Sequence, residues 1–299
     1  MANRWTHSWG RNDIAAAHDL ERALHGTRAF GPLDAAVQGG LPEATEDYGE
    51  TPIGSDDRVQ VQSAAAHPST RLFPFNTICM IRTPTGGIAS GTLIAPQVVL
   101  TAGHVLRNKP SVTITPGADL SAATDAEQRP AAPRVQTVSS SRFRFNPDLD
   151  ISLALTPAAF TRPSEFMMLQ PRSDANTATL LTNAGYPGGS TPPLGWSLGT
   201  MWRHSDHIAV SDISPTHVTY QLDTSRGHSG SPLWLLGNNG IRLLLAVHTS
   251  GVNSSRPDHN RGVRITCAVI AWIEEQCRAA GVTGPRVDRV AFRAACPAS

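Results

Sequence analysis

Asp223-Thr224-Ser225-Arg226-Gly227-His228-Ser229-Gly230-Ser231-Pro232 decides how the rest of this 299-residue chain is read. It sets a serine between two glycines, and the apolar run Leu233-Trp234-Leu235-Leu236 follows at once. Glycine adopts backbone conformations that other residues resist, so the pattern predicts a tight turn leading into a strand. A serine hydroxyl is a poor nucleophile until a base takes its proton, and an imidazole held by a buried carboxylate is suited to that task. Working outward, two further stretches offer these parts. Leu100-Thr101-Ala102-Gly103-His104 ends an apolar strand in small residues and a histidine, and Asp148-Leu149-Asp150-Ile151-Ser152-Leu153-Ala154-Leu155 opens another strand with a carboxylate.

The intervening sequence has the same texture. From about residue 70, short apolar runs such as Thr77-Ile78-Cys79-Met80-Ile81, Val98-Val99-Leu100, Ser111-Val112-Thr113-Ile114, His217-Val218-Thr219-Tyr220 and Leu243-Leu244-Leu245-Ala246-Val247 alternate with Gly, Pro, Ser, Thr and Asn. Many short strands with turn signals between them predict an all-β sandwich or barrel. The periodic apolar stretch after Cys267 predicts a helix over about 267–279. Residues 1–50 stand apart as turn-rich and acidic towards Glu50 and read as a removable leader, while 280–299 reads as a C-terminal tail. The 25 basic and 24 acidic residues leave a net charge of +1, which argues against nucleic acid or an anionic membrane as a partner. No window approaches the roughly 18–20 consecutive apolar residues of a membrane span.

Taken together, Thr101-Ala102-Gly103-His104, Asp150-Ile151-Ser152-Leu153-Ala154 and Gly227-His228-Ser229-Gly230-Ser231-Pro232 resemble the trypsin and chymotrypsin superfamily. The resemblance implies two six-stranded antiparallel β-barrels, at about 70–160 and 170–266, with a C-terminal helix, all within a protease domain at 51–279. It implies a catalytic triad of His104, Asp150 and Ser229, and an oxyanion hole formed by the N–H groups of Gly227 and Ser229. Asp150 is preferred to Asp148 because it immediately precedes the matching strand; Asp148 is then a turn carboxylate. Gly-x-Ser-x-Gly would mark the nucleophile elbow of an α/β-hydrolase, but the last position here is Ser231, a strand follows where an elbow needs a helix, and the histidine and acid precede the serine.

The resemblance sharpens to the bacterial glutamyl endopeptidases through Ile53-Gly54-Ser55-Asp56-Asp57-Arg58, Gly185-Tyr186-Pro187-Gly188, Trp202-Arg203-His204-Ser205, Ala246-Val247-His248-Thr249-Ser250-Gly251 and Asn260-Arg261-Gly262-Val263-Arg264. It implies protein or peptide substrates cut after glutamate, a pocket containing His248 and Thr224, and a mature amino terminus that brings positive charge nearby. The bond Glu50–Thr51 lies where such maturation falls, which would place the α-amino group of Thr51 at the pocket. Arg226 stands where that branch usually has glycine and makes the pocket rim bulkier and more basic. Ala89 and Val105 replace a disulfide found in many relatives, and Pro52 alters the mature terminus. A trypsin-like preference for basic residues is the competing specificity, with Asp223 as the acid beside Thr224. A catalytically silent binding module on the same fold is the competing class. A monomer is the default reading, no metal or cofactor is expected in catalysis, and action outside the cell is expected although no apolar run follows Arg4. The histidines His204, His207, His217 and His259 form no ligand motif such as H-E-x-x-H and read as surface or structural residues.

Four cysteines remain, Cys79, Cys267, Cys277 and Cys296. A helix between Cys267 and Cys277 would hold them about 15 Å apart, beyond the ~7 Å limit for a disulfide. The expected pairing is Cys277 with Cys296, leaving Cys79 as a buried thiol; four reduced cysteines are the alternative.

Overall fold

The computed structural model describes residues 52–53, 55–61, 70–119, 135–171, 179–188, 199–208, 214–237, 240–251 and 258–296. The leader at 1–50, Thr51 and the Glu50–Thr51 bond lie outside them.

Alternation of apolar and polar residues builds the first sheet. In β5 (Ser111–Pro116) every second residue is buried, as expected of a strand with one face on a core. Its sheet also contains β2 (Ile78–Arg82), β3 (Ile88–Ala95), β4 (Val98–Ala102), β6 (Gln136–Ser139), β7 (Phe143–Phe145) and β8 (Ile151–Leu155). The strand order is β6-β5-β2-β3-β4-β8-β7, and each pairing is antiparallel. One turn of helix, α1 (Gly103–Leu106), follows β4 directly.

The second sheet is formed by β10 (Thr179–Gly185), β11 (Met201–Ile208), β12 (His217–Tyr220), β13 (Pro232–Leu236), β14 (Arg242–Ser250) and β15 (Asn260–Arg264). Two short strands extend it: β1 (Val59–Val61) pairs antiparallel with β11, and β9 (Met168–Leu169) runs parallel to β14. The two-sheet all-β architecture is the expected one; among the described residues the sheets contain seven and eight strands, one and two more than the six expected in each. The additions, β7, β1 and β9, are pieces of two or three residues, too short to carry a readable period of their own.

Each sheet encloses its own apolar cluster, with Ile81, Leu93, Val99 and Ile114 in the first and Leu181, Val218, Leu233 and Leu245 in the second. A third and larger cluster joins the two sheets. It packs Ile78, Leu100 and Ile151 with Tyr186, Trp234 and Val247, and with Val269, Ile270 and Ile273 of helix α2 (Cys267–Ala279). Burial at 269, 273 and 277 follows the i, i+4, i+8 spacing of an amphipathic helix, and Thr266 caps its start by accepting the N–H of Val269.

The tail has structure of its own. Asp288 accepts the N–H groups of Val290 and Ala291 and so starts α3 (Arg289–Ala295), while Val287 bridges to Leu169. This path returns Cys296 to the start of α2, where it forms a disulfide with Cys267 across a Cα separation of 5.8 Å. The expected Cys277–Cys296 pairing is thus overturned. Cys277 lies two turns and more along α2 on its core face, 2% exposed, and Cys79 is the other buried free thiol. Burial pushes the Cys277 thiol up to about 11, with the charge of Glu274 adding to the effect.

Candidate active site

β4 and α1 position His104. The chain leaves β4 at Ala102, and Gly103 donates its N–H to the Asp150 carbonyl at 3.0 Å. A Cβ on Gly103 would stand 2.7 Å from Asp150 Oδ1, so glycine is required for this approach. The carboxylate then binds His104 twice: Oδ1 accepts its backbone N–H at 2.8 Å, and Oδ2 faces Nδ1 at 2.7 Å. Burial by itself would raise the Asp150 pKa, but the hydrogen bonds and charge of His104, together with the charge of Arg107, outweigh it and hold the carboxyl below its ordinary value. This geometry leaves Nε2 of His104 as the nitrogen able to exchange a proton with a nucleophile. Asp148 instead is exposed, in a turn where Asn146 Oδ1 accepts its backbone N–H.

Ser229 occupies the turn between Thr224 and β13, and that turn is fastened to the first sheet. Ser90 of β3 donates its backbone N–H to the Ser229 carbonyl at 2.9 Å and its hydroxyl to the Gly227 carbonyl at 2.7 Å. Gly227 has φ +96°, and a Cβ there would lie 2.3 Å from the Tyr186 carbonyl oxygen. Gly230 has φ +87°, and its Cβ would meet Thr101 Oγ1 at 2.0 Å and Ala102 N at 3.0 Å. The Ser229 turn therefore rests against the end of the strand that carries His104. After the turn the chain enters β13 and not a helix, so the elbow geometry of an α/β-hydrolase is absent at this serine.

Beside the turn, β14 brings up His248, whose backbone is bonded on both sides to the same segment: His248 N–H to Ser231 O at 2.9 Å and Gly230 N–H to His248 O at 2.8 Å. A bulge between His248 and Ser250 shifts the register against β15 at this place. His248 is fully buried, and its Nδ1 is hydrogen-bonded to the Tyr220 hydroxyl of β12. Thr224 is also fully buried, and its hydroxyl has no hydrogen-bond partner among the described residues. Arg226 is half-buried, with its carbonyl accepting the Gly188 N–H at 2.5 Å.

Several residues of this region carry no motif of their own. Ser90 and Tyr220 are two of them. Asp223, which opens the serine motif, has a role that motif does not announce: it is 2% exposed, and its Oδ1 and Oδ2 accept the backbone N–H groups of Ile53 and Asp57, each at 2.8 Å. His204 Nδ1 lies 2.8 Å from the Asp223 backbone nitrogen and 3.3 Å from Oδ2, so the ring faces both the backbone and the carboxylate of that residue. Burial would raise the Asp223 pKa, but His204 and the two backbone donors hold it below its ordinary value. Arg58, buried, brackets Asp56 with Nε at 2.8 Å and Nη2 at 2.7 Å and reaches Ser225 Oγ with Nη1. Ligand-type atoms of Asp57, His204 and Asp223 lie within 4.8 Å of one another, yet those of Asp223 and His204 are already engaged by backbone N–H groups. His228, beside the serine, is fully buried; desolvation, then the charges of Arg58 and His248, push its pKa well below the ordinary value despite hydrogen bonds to the backbone of Ser225 and Trp202 that oppose the shift. His259 pairs with its exposed neighbour Asp258, and His217 with Thr216.

Two antiparallel sheets sharing a core, with a His–Asp pair on one and a serine in a glycine turn on the other, define a chymotrypsin-type protein. Residues 89–239 match the trypsin-like peptidase domain family, and the chain belongs to it. It is 29% identical over 225 residues to the glutamyl endopeptidase of Bacillus licheniformis, an alignment that takes in 72% of this chain and 65% of that protein. It is 23% identical over 272 residues to a Bacillus subtilis protein named as an extracellular metalloprotease, covering 86% of this chain and 79% of the other. Among solved structures, a Glu endopeptidase in complex with MPD matches 75% of this chain and 97% of its own, with a TM-score of 0.59 and 24% identity, which shows the shared fold.

Proposed function

We propose that the chain is a serine endopeptidase that cleaves peptide bonds after glutamate. The observation that carries the reading is the double engagement of His104 by Asp150, on the sheet to which the Ser229 turn is fastened. In this mechanism His104 takes the proton of Ser229 Oγ as that oxygen attacks the scissile carbonyl. The N–H groups of Gly227 and Ser229 receive the negative charge of the tetrahedral intermediate. His104 then protonates the leaving amine, and water hydrolyses the acyl-enzyme by the reverse sequence. A groove of about 380 Å³ beside Asp150, whose lining includes Arg107, His217, Thr249 and Arg261, offers room for the substrate chain.

For the residue before the scissile bond, the support is the buried Thr224 hydroxyl without a described partner and the buried imidazole of His248. A glutamate carboxylate removed from water needs such donors. Arg226 adds positive charge at the rim, and Thr51, outside the described residues, would add its α-amino group after cleavage at Glu50–Thr51. The trypsin-like alternative needs a free acid at the pocket base, and both oxygens of Asp223 are taken up by backbone donors. We further propose that the enzyme acts outside the cell as a monomer.

Cleavage-site profiling on a denatured proteome, with the wild-type protein and Ser229→Ala in parallel, tests both levels. Cuts after glutamate that vanish in the variant are expected. Cuts that survive in Ser229→Ala overturn the mechanism, and cuts mainly after Lys, Arg or aromatic residues overturn the specificity.

A further inference from the structure

A peptide unit is planar and trans, so its N–H and C=O point in opposite directions. An N–H is therefore aimed by whatever holds the carbonyl of the same unit. Each of the two units that would supply the oxyanion hole is tethered in this way. The carbonyl partner of the Gly227 N–H belongs to Arg226 and accepts the Gly188 N–H at 2.5 Å; that of the Ser229 N–H belongs to His228 and accepts the Ser231 N–H at 2.7 Å. The second tether lies within the turn. The first comes from a distant segment, Tyr186–Gly188, that follows β10.

That segment is itself secured from the other sheet. Ser90 Oγ accepts the Tyr186 N–H at 2.8 Å and donates to the Gly227 carbonyl at 2.7 Å, while Thr101 Oγ1 donates to the Ser90 carbonyl at 2.7 Å. Ser90 is fully buried, so its hydroxyl holds these partners without competition from bulk solvent. The φ of +96° at Gly227 adds a reason for a tether: the turn holds a backbone state that only glycine takes readily and that neighbouring contacts must select.

We infer that Ser90 and the Gly188 N–H are positioning groups for the oxyanion hole, acting as a latch that couples the first sheet to the direction of the Gly227 N–H. The inference rests on the serine endopeptidase reading above. Without the latch the Arg226–Gly227 unit is free to rotate, and the hole loses one aligned donor in part of the population. Outright loss of one such donor lowers kcat by about 10²–10³-fold. A misdirected donor is expected to lower it by about 10- to 100-fold, with KM within about twofold, because the groups that bind the substrate side chain are elsewhere.

The test compares wild type, Ser90→Ala and Ser90→Thr on a glutamyl peptide substrate, after titration of active sites so that only folded, reactive enzyme is counted. Inhibition by a peptide aldehyde is measured beside inhibition by the matching product peptide. The aldehyde adds the Ser229 O–H across its C=O and leaves its oxygen in the hole; the product peptide makes no such demand. Ser90→Ala should lose kcat and aldehyde affinity together by 10- to 100-fold while product affinity stays within twofold, and Ser90→Thr, which keeps the hydroxyl, should recover most of both. Equal losses for aldehyde and product, or a kcat unchanged in Ser90→Ala, overturn the inference while leaving the endopeptidase reading intact. A wild-type protein without peptidase activity overturns that reading instead.

Discussion

Asp223 accepts the backbone N–H of Ile53 at 2.8 Å, across 170 positions of sequence. With the matching bond from Asp57 and the reach of Arg58 to Ser225, it fastens the segment 53–58 to the wall that leads to Thr224 and Ser229. The residue adjoining a proposed pocket thus serves as the anchor of the chain's first described segment.

Replacement by Asp223→Asn removes the charge and one of the two acceptors. Hydrogen bonds to a charged group contribute about 1.5–3 kcal/mol, so a loss of about 2 kcal/mol in unfolding free energy is expected by denaturant titration near neutral pH. Cleavage after Lys or Arg should be equally low in both proteins; a rise or fall in it would show Asp223 facing substrate.

Acid should weaken the same contacts. The carboxyls of Asp150 and Asp223 both have folded pKa values below the ordinary 3.8. Each therefore adds stability that is present above that ordinary value and disappears as pH falls through the lowered one. The stability difference between wild type and Asp223→Asn is expected to be constant from pH 7 to about pH 5 and to shrink below about pH 4. A difference that grows in acid would reverse the sign assigned here.

Tyr220 supports the imidazole proposed to meet the substrate carboxylate. Tyr220→Phe deletes the hydroxyl bonded to His248 Nδ1 and frees the ring to place its proton on either nitrogen. A fall of about tenfold in kcat/KM for a glutamyl substrate is expected, with less change for its glutamine analogue; an equal fall for both would assign Tyr220 to packing alone.

The cysteines make a separate set of expectations. Peptide mapping should recover Cys267 joined to Cys296, with Cys79 and Cys277 alkylated only after unfolding. Closing a loop with a sequence separation of 29 is worth about 3–4 kcal/mol in the chain-entropy view, so Cys267→Ser should lower stability by up to that amount.

What could be read from sequence follows the range over which the information acts. The strand ending at Ala102, the strand starting at Ile151 and the glycine turn around Ser229 are local patterns, and the elements appear where those patterns place them. The roles of Asp223, Ser90 and Tyr220 were not legible, because each depends on a partner 28 to 170 positions away and on which face of a strand is buried. The disulfide was misread for a simpler reason: Asp288 is a readable helix cap, and a tail treated as structureless gives no hint that Cys296 returns to Cys267.

The strand β1 lies at the outer edge of the second sheet, although it belongs to the opposite end of the chain from its neighbours β10–β15. A recombinant fragment beginning at residue 70 would expose the backbone row of β11 that β1 covers. An uncovered edge of this kind is a template for pairing with other molecules, so such a fragment should self-associate more readily than the longer chain.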